Sequence, residues 1–474
     1  MKKRTKIVAT VGPSTHSEDI IKNMILEGVN VFRINFSHGS HEDHIKAINK
    51  IRKVDKVLGT HSALLADLQG PKIRIGEMPE EGVLLEKNSA FSLYTNDKKS
   101  IENAAFVSYD RLARDVKKDE FILLDDGKIH LKVTETNGKD LIKTKVIAGG
   151  VLYSRKGVNL PNTKISTSSL TEKDKTDLKV ALERGVDWVG FSFVRSAREI
   201  IELRHLITSM NGDAKIIAKI EKPEAVEDLD NIMQETDAVM VARGDLGVEI
   251  PLENVPLIQK RIAEMAKEMA KPVIIATQMM ESMMDKITPN RAEVNDVANA
   301  VMDGVDAVML SGETSVGKHP VEVIKIMARI INEIEGKYTE LYVKETMPKK
   351  NNERFITDSI CFNACRLAQR VNAKAIITMT HSGYTSYKIS SQRPESAIYV
   401  FSSNKKLLST LSLVWGVATF YYDKTISTDH TIADIHHLLK SEKLVESGDL
   451  IINTASIPLG EGGKTNMLKL SYIE

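Results

Sequence analysis

Two short stretches in the middle of the chain have the residue types to hold a metal and an anion together. Lys219 and Glu221 close the run Lys215-Ile216-Ile217-Ala218-Lys219-Ile220-Glu221, and Arg243, Gly244 and Asp245 follow Val239-Met240-Val241-Ala242. The glutamate and aspartate supply hard oxygens suited to a divalent metal. The lysine and arginine supply charge for a negatively charged, oxygen-rich substrate. Taken alone, charges at solvated strand ends would serve salt bridges equally well, so the elements that position them decide the reading.

Those elements repeat. Glu27-Gly28-Val29-Asn30-Val31, Arg184-Gly185-Val186-Asp187-Trp188 and Asp303-Gly304-Val305-Asp306-Ala307 share one pattern. A helix-period segment ends at glycine, then comes Val-Asn or Val-Asp and a strand. Glycine suits the left-handed position that stops a helix, and continuous apolar runs suit strands buried on both faces. Strands are expected at 6–10, 31–35, 63–67, 188–192, 215–220, 238–242, 273–276 and 307–310, with helices at 18–26, 42–58, 172–182, 197–208, 257–270, 291–302 and 321–334. Eight strands interleaved with helices predict an α/β fold built on a closed (β/α)8 TIM barrel. No Gly-x-Gly-x-x-Gly follows an early strand, which argues against a dinucleotide fold.

The alternation breaks after residue 67. Short strands punctuated by Asp125-Asp126-Gly127, Asn137-Gly138 and Gly149-Gly150 predict a small β-barrel domain inserted after the third barrel strand. There it would sit over the barrel's C-terminal mouth as a lid. A polar connection at 344–354 leads into a C-terminal α/β domain. The expected division is 1–69 and 167–343 for the barrel, 70–166 for the lid and 344–474 for the C-terminal domain.

Composition narrows the partners. The 474 residues are 42% hydrophobic and 27% charged, with a formal net charge of +1. That describes a soluble globular protein without the basic footprint of a nucleic-acid or acidic-membrane binder. Cys361 and Cys365 read as packed thiols, and no signal-peptide core follows Met1-Lys2-Lys3-Arg4. A cytoplasmic location is expected.

Barrel sites lie at the C-terminal ends of the strands. Those ends offer Arg33, Asn35, Ser37 and His38; Asp67; Lys219 and Glu221; Arg243, Gly244 and Asp245; Thr277; and Ser311. Gln69-Gly70-Pro71-Lys72-Ile73-Arg74 follows Asp67 directly. Two carboxylates among several cations predict phosphoryl-transfer chemistry, in which positioning and charge neutralisation do most of the catalysis. His38, His41 and His44 turn progressively around a helix and so do not predict a metal centre.

Seven motifs in order resemble the pyruvate kinase family: Arg33-x-Asn35-Phe36-Ser37-His38-Gly39, Asp67-x-x-Gly70-Pro71-x-Ile73-Arg74, Lys156-Gly157-Val158-Asn159-Leu160-Pro161, Lys219-Ile220-Glu221, Ala242-Arg243-Gly244-Asp245-Leu246-Gly247, Ala276-Thr277-Gln278-Met279 and Leu310-Ser311-Gly312-Glu313-Thr314. The resemblance runs essentially end to end. It implies a phosphotransferase that makes pyruvate and ATP from phosphoenolpyruvate and ADP in the last step of glycolysis, under allosteric control through the C-terminal domain.

By the same resemblance, Glu221 and Asp245 bind Mg²⁺ (or Mn²⁺), Lys219 stabilises the transferring phosphoryl and Arg33 clamps the phosphate. Gly244, Asp245 and Thr277 bind the substrate carboxylate. Asn35, Phe36, Ser37, His38, Arg74 and Lys156 address the nucleotide, and Thr277 with Ser311 marks where the enolate is protonated. Asn35, Ser37, Asp67 and Leu68 occupy the positions that hold K⁺ in many members. Those members carry a glutamate after Gly-Pro where this chain has Lys72, whose ammonium predicts that K⁺ is not required. Thr380, His381, Ser382, Gly383, Tyr384 and Thr385, with Lys464 from the covering loop 459–464, match the loop that binds a phosphorylated effector. A homotetramer is implied. The alternatives are a Mg²⁺-dependent carbon–carbon lyase on a similar barrel and a non-catalytic metabolite sensor.

Overall fold

The computed structural model describes residues 3–96, 103–342, 347–350, 352–424, 427–457 and 464–474. The connection expected at 344–354 lies partly outside the described residues, and 459–463 of the covering loop lies wholly outside them.

Eight parallel strands, Lys6–Thr10, Val29–Asn35, Ala63–Asp67, Trp188–Phe191, Lys215–Ile220, Ala238–Ala242, Val273–Ala276 and Ala307–Leu310, close into a barrel in chain order. Every residue of six of them is buried, which is why they read as unbroken apolar runs rather than alternating ones. Register brings the functional ends level: Asn35 pairs with Asp67, Asp67 with Gly190, and Ala242 with Ala276.

The surrounding helices start where their caps dictate. Ser40 with Asp43, Thr171 with Asp174 and Asn290 with Glu293 form reciprocal capping boxes. Gly28, at φ +118°, ends the first helix by donating its N–H to the carbonyls of Met24 and Ile25. Between the fifth and sixth strands lie two short helices, Pro223–Glu227 and Leu229–Glu235, which were not among the expected helices. Each is too short to establish a helical period. The sixth strand passes directly into the helix Arg243–Glu249.

The inserted segment forms a six-stranded sheet and a two-stranded ribbon around its own apolar core, which includes Phe91, Leu93, Leu131 and Ile142. The C-terminal domain is a five-stranded sheet. Its strands Val417–Tyr421, Ala397–Ser402, Ala375–Met379 and Leu450–Ala455 are parallel, and Met467–Tyr472 is added antiparallel at the edge. Leu413 from this domain packs into the barrel's interior layer with Val31, Trp188, Met240 and Met309. Around that plug, Trp188 Nε1 donates to the Thr410 carbonyl at 3.1 Å, and buried Arg393 pairs with Asp306 at 3.1 Å. Among the described residues no helix is long and apolar enough to cross a membrane.

Candidate active site

Lys219 is the centre of a buried polar ring at the C-terminal mouth. Its Nζ lies 2.9 Å from Glu221 Oε1 and 3.2 Å from Asp67 Oδ1, and donates to Ser192 Oγ at 2.7 Å. Burial alone would lower its pKa, but Asp67 and Glu221 outweigh that and hold the ammonium above its ordinary value. Asp67 Oδ2 takes Arg33 through Nε at 2.6 Å and Nη2 at 2.5 Å, while Arg33 Nη1 donates to Thr10 Oγ1 at 3.0 Å. Asp67 is buried too, yet Lys219 and Arg33 keep its carboxyl below the usual range.

Glu221 behaves in the opposite way. Burial pushes its pKa up to about 6; Lys219 opposes this and the Asp245 carboxylate adds to it. Its Oε2 accepts the Phe193 N–H at 2.7 Å. Glu221 is buried and Asp245 partly exposed, and a divalent cation would relieve the repulsion between the two carboxylates. Among the described residues no group of three or more His, Cys, Asp or Glu could hold a metal. A pair still suits Mg²⁺, which keeps several waters and takes its remaining oxygens from phosphate. The residues fit the ion.

On the neighbouring strand ends, Thr277 adopts φ +70° and Gln278 φ +56°, left-handed conformations rarely taken by residues with a side chain. The bend turns Thr277 Oγ1 to accept the Gly244 N–H at 2.9 Å. Arg243 holds it there: its guanidinium pairs with both oxygens of Asp296, each at 2.7 Å, and donates to the Thr277 carbonyl at 2.7 Å. Arg243 is therefore occupied with supporting its neighbours. Ser311 donates its N–H to Glu313 Oε2 at 2.7 Å, at the start of the turn Gly312–Ser315.

The lid supplies cations. His38 has its pKa lowered first by burial and then by the charges of Arg74, Lys72, Arg33 and Lys173, so lid and barrel cations share one field around it. Lys156 pairs with Asp125 at 2.8 Å, and Arg74 Nη1 donates to the Arg155 carbonyl at 3.0 Å. Lys72 Nζ stands 4.0 Å from Asp245 Oδ1. Asn35 Oδ1 accepts the Ser37 N–H at 3.1 Å and shapes the turn after the second strand. Phe36 and Leu68 are buried. The Phe36 ring packs 4.5 Å from that of His44, and His41 Nε2 meets Asp177 at 2.6 Å, so these histidines are structural.

In the C-terminal domain the loop after the strand Ala375–Met379 leads into the helix Tyr384–Ser391. Thr380 Oγ1 accepts the Gly383 N–H at 3.0 Å, while His381 and Ser382 are exposed. Other hydroxyls of the set are engaged: Tyr384 donates to Asp358 at 2.7 Å, and Thr385 lies 2.7 Å from Thr465 Oγ1. Lys464 Nζ donates to the Glu353 carbonyl at 3.0 Å.

Sequence reasoning missed Ser192, Thr10 and Asp296. Ser192 had a signal, because it is the last residue of the strand expected at 188–192 and so falls at the barrel's mouth. Asp296 lies inside the helix Arg291–Met302 and had none.

The geometry agrees with what the chain is similar to. The model of the pyruvate kinase barrel domain matches residues 2–324, and that of the pyruvate kinase alpha/beta domain matches residues 358–471. The pyruvate kinase of Corynebacterium glutamicum is 42% identical, with 100% of this chain and 98% of that protein covered. That of Mycobacterium tuberculosis is 39% identical, covering 100% and 99%. A solved pyruvate kinase from Cryptosporidium parvum superposes with a TM-score of 0.92 at 33% identity, covering 100% of this chain and 96% of that one. With both family domains matched and relatives aligned over its whole length, this chain belongs to the pyruvate kinase family.

Proposed function

We propose that the barrel mouth carries out the phosphoryl transfer from phosphoenolpyruvate to ADP through the residues that surround Lys219. The observation that carries this reading is the buried Lys219 ammonium, held between Asp67, Glu221 and Ser192 at the strand ends. It is a preorganised positive charge where the transferring group's equatorial oxygens need one.

Glu221 and Asp245 would hold Mg²⁺ or Mn²⁺, which when bound would neutralise charge on the enolate and phosphoryl oxygens. Arg33 presents its guanidinium from the second strand to the phosphate, oriented by Asp67 and Thr10. The Gly244 and Asp245 backbone and Thr277 would receive the substrate carboxylate, which would take over the Gly244 N–H that now donates to Thr277 Oγ1; Arg243 holds this corner through the Thr277 carbonyl. Asn35, Phe36, Ser37 and His38 shape the nucleotide side of the mouth, with Arg74 and Lys156 approaching from the lid. Thr277 and Ser311 mark the face from which the enolate is protonated.

Lys72 takes the role of the monovalent cation. Its ammonium, 4.0 Å from Asp245, supplies charge to the cleft without K⁺, so the Asn35, Ser37, Asp67 and Leu68 positions need not hold one. The C-terminal loop around Thr380–Thr385 would take a phosphorylated effector. The division 1–69, 70–166, 167–343 and 344–474, a homotetramer and a cytoplasmic location complete the reading. A coupled assay with phosphoenolpyruvate, ADP and Mg²⁺ tests it: ADP-dependent pyruvate formation is expected, and pyruvate release independent of ADP would favour a lyase.

A further inference from the structure

A buried carboxylate outside the Lys219 ring joins the segments that carry the site. Glu249 ends the helix that bears Gly244 and Asp245. Its Oε1 accepts Lys222 Nζ at 2.6 Å and Asn159 Nδ2 at 2.8 Å. Lys222 follows Glu221 on the barrel, whereas Asn159 lies in the lid, three residues beyond Lys156. Glu249 and Lys222 are only 3% and 6% exposed, and Glu249 Oε2 has no hydrogen-bond partner among the described residues. A second lid contact lands on the same helix: a Cβ added at Gly127 would fall 3.4 Å from Val248 Cγ1.

Desolvation offsets most of the Coulomb attraction within a buried ion pair, so such a pair adds little net stability over apolar packing. What it does is select one arrangement, because separating the two charges inside the protein is costly. Here the arrangement selected is that of the Glu221 strand end relative to the Asp245 helix. The lid's share of the contact is a neutral amide. Separating the lid from this carboxylate would break only the amide contact, leaving Lys222 and Glu249 paired and no buried charge stranded.

We infer that Glu249 is a positioning residue: with Lys222 it fixes the two carboxylate-bearing segments against each other, and through Asn159 it latches the lid over them. The inference rests on the reading of Arg74 and Lys156 as nucleotide-facing lid residues.

Asn159→Leu in the full-length enzyme removes the lid's donor and leaves the ion pair intact. Loss of one hydrogen bond to a buried charged acceptor is expected to raise KM for ADP about tenfold while KM for phosphoenolpyruvate stays within about twofold. Amide exchange should quicken in 156–161 and 243–249 and remain unchanged in the C-terminal domain. In a Lys222→Met/Glu249→Leu background, adding Asn159→Leu should change KM for ADP by less than about twofold, because coupled residues are not additive. Unchanged exchange in both segments, or a full ADP penalty persisting in that background, overturns the latch. Failure of the underlying reading looks different. Exchange would quicken as expected while KM for ADP stayed normal, and Arg74→Ala would also leave KM for ADP normal; the latch would then stand and the nucleotide assignment fall.

Discussion

Lys219→Met tests the centre of the site and has two separable consequences. The ammonium lies 2.9 Å from Glu221 and 3.2 Å from Asp67, so at an effective dielectric of about 20 each pair is worth roughly 5 kcal/mol gross. Only the part of such an interaction that strengthens in the transition state accelerates the reaction. For one preorganised donor that part is typically about 3–4 kcal/mol, so turnover should fall about 10²- to 10³-fold or more. The second consequence is on stability. Without the lysine, Asp67 keeps Arg33, but among the described residues Glu221 keeps only the Phe193 N–H. Its folded pKa already lies above its ordinary 4.5, at about 6, so holding it charged costs stability as pH rises through that interval. Removing Lys219 extends the interval upward. The variant should therefore be destabilised by a few kcal/mol at most, more so at pH 8 than at pH 6, and Mn²⁺ should restore much of the loss. Coupled turnover assays and thermal melts with and without Mn²⁺ measure both. Turnover within tenfold of the parent would refute the role of Lys219, and a melt insensitive to Mn²⁺ would refute metal binding at Glu221.

Three further outcomes are expected. Initial rates should be nearly the same in Na⁺, K⁺ and tetramethylammonium buffers, while Lys72→Glu should create a K⁺ requirement; strong K⁺ activation of the parent would sink the internal-cation reading. Arg243→Lys cannot span both Asp296 oxygens and the Thr277 carbonyl, so it should lose about 2 kcal/mol of stability and raise KM for phosphoenolpyruvate; an unchanged KM counts against support of Thr277. Burial pushes the Cys361 thiol up to about 12 and also raises that of Cys365, so both remain protonated at pH 8. Neither should react with a disulfide reagent until guanidinium unfolds the chain, and rapid native labelling of either would contradict that burial.

The barrel was legible because its strands are buried on both faces and its helices end at glycine, two signals that survive without tertiary context. All eight strands could be placed within two residues of where they lie. The helices at Pro223–Glu227 and Leu229–Glu235 were not legible, being about two turns or less each. At the site, strand ends disclosed Lys219, Glu221, Arg33 and Asp245 because position along a barrel strand already implies facing the mouth. Partners that arrive from elsewhere were hidden. Asp296 and Asn159 meet the site only through folding, and no spacing in the sequence connects Asn159 with Glu249, 90 residues away. The bend at Thr277 was hidden too, since left-handed backbone at a threonine is imposed by neighbours such as Arg243 rather than by the residue itself.

Leu413 gives the barrel a floor that the barrel's own sequence does not encode. Because that side chain belongs to the interior layer with Trp188 and Met240, a chain cut before residue 344 would leave a water-accessible void beneath a ring of apolar side chains. Melting should therefore show the barrel and the C-terminal domain losing structure together, and a barrel emerging from the ribosome would be completed only after residue 413 has followed it out.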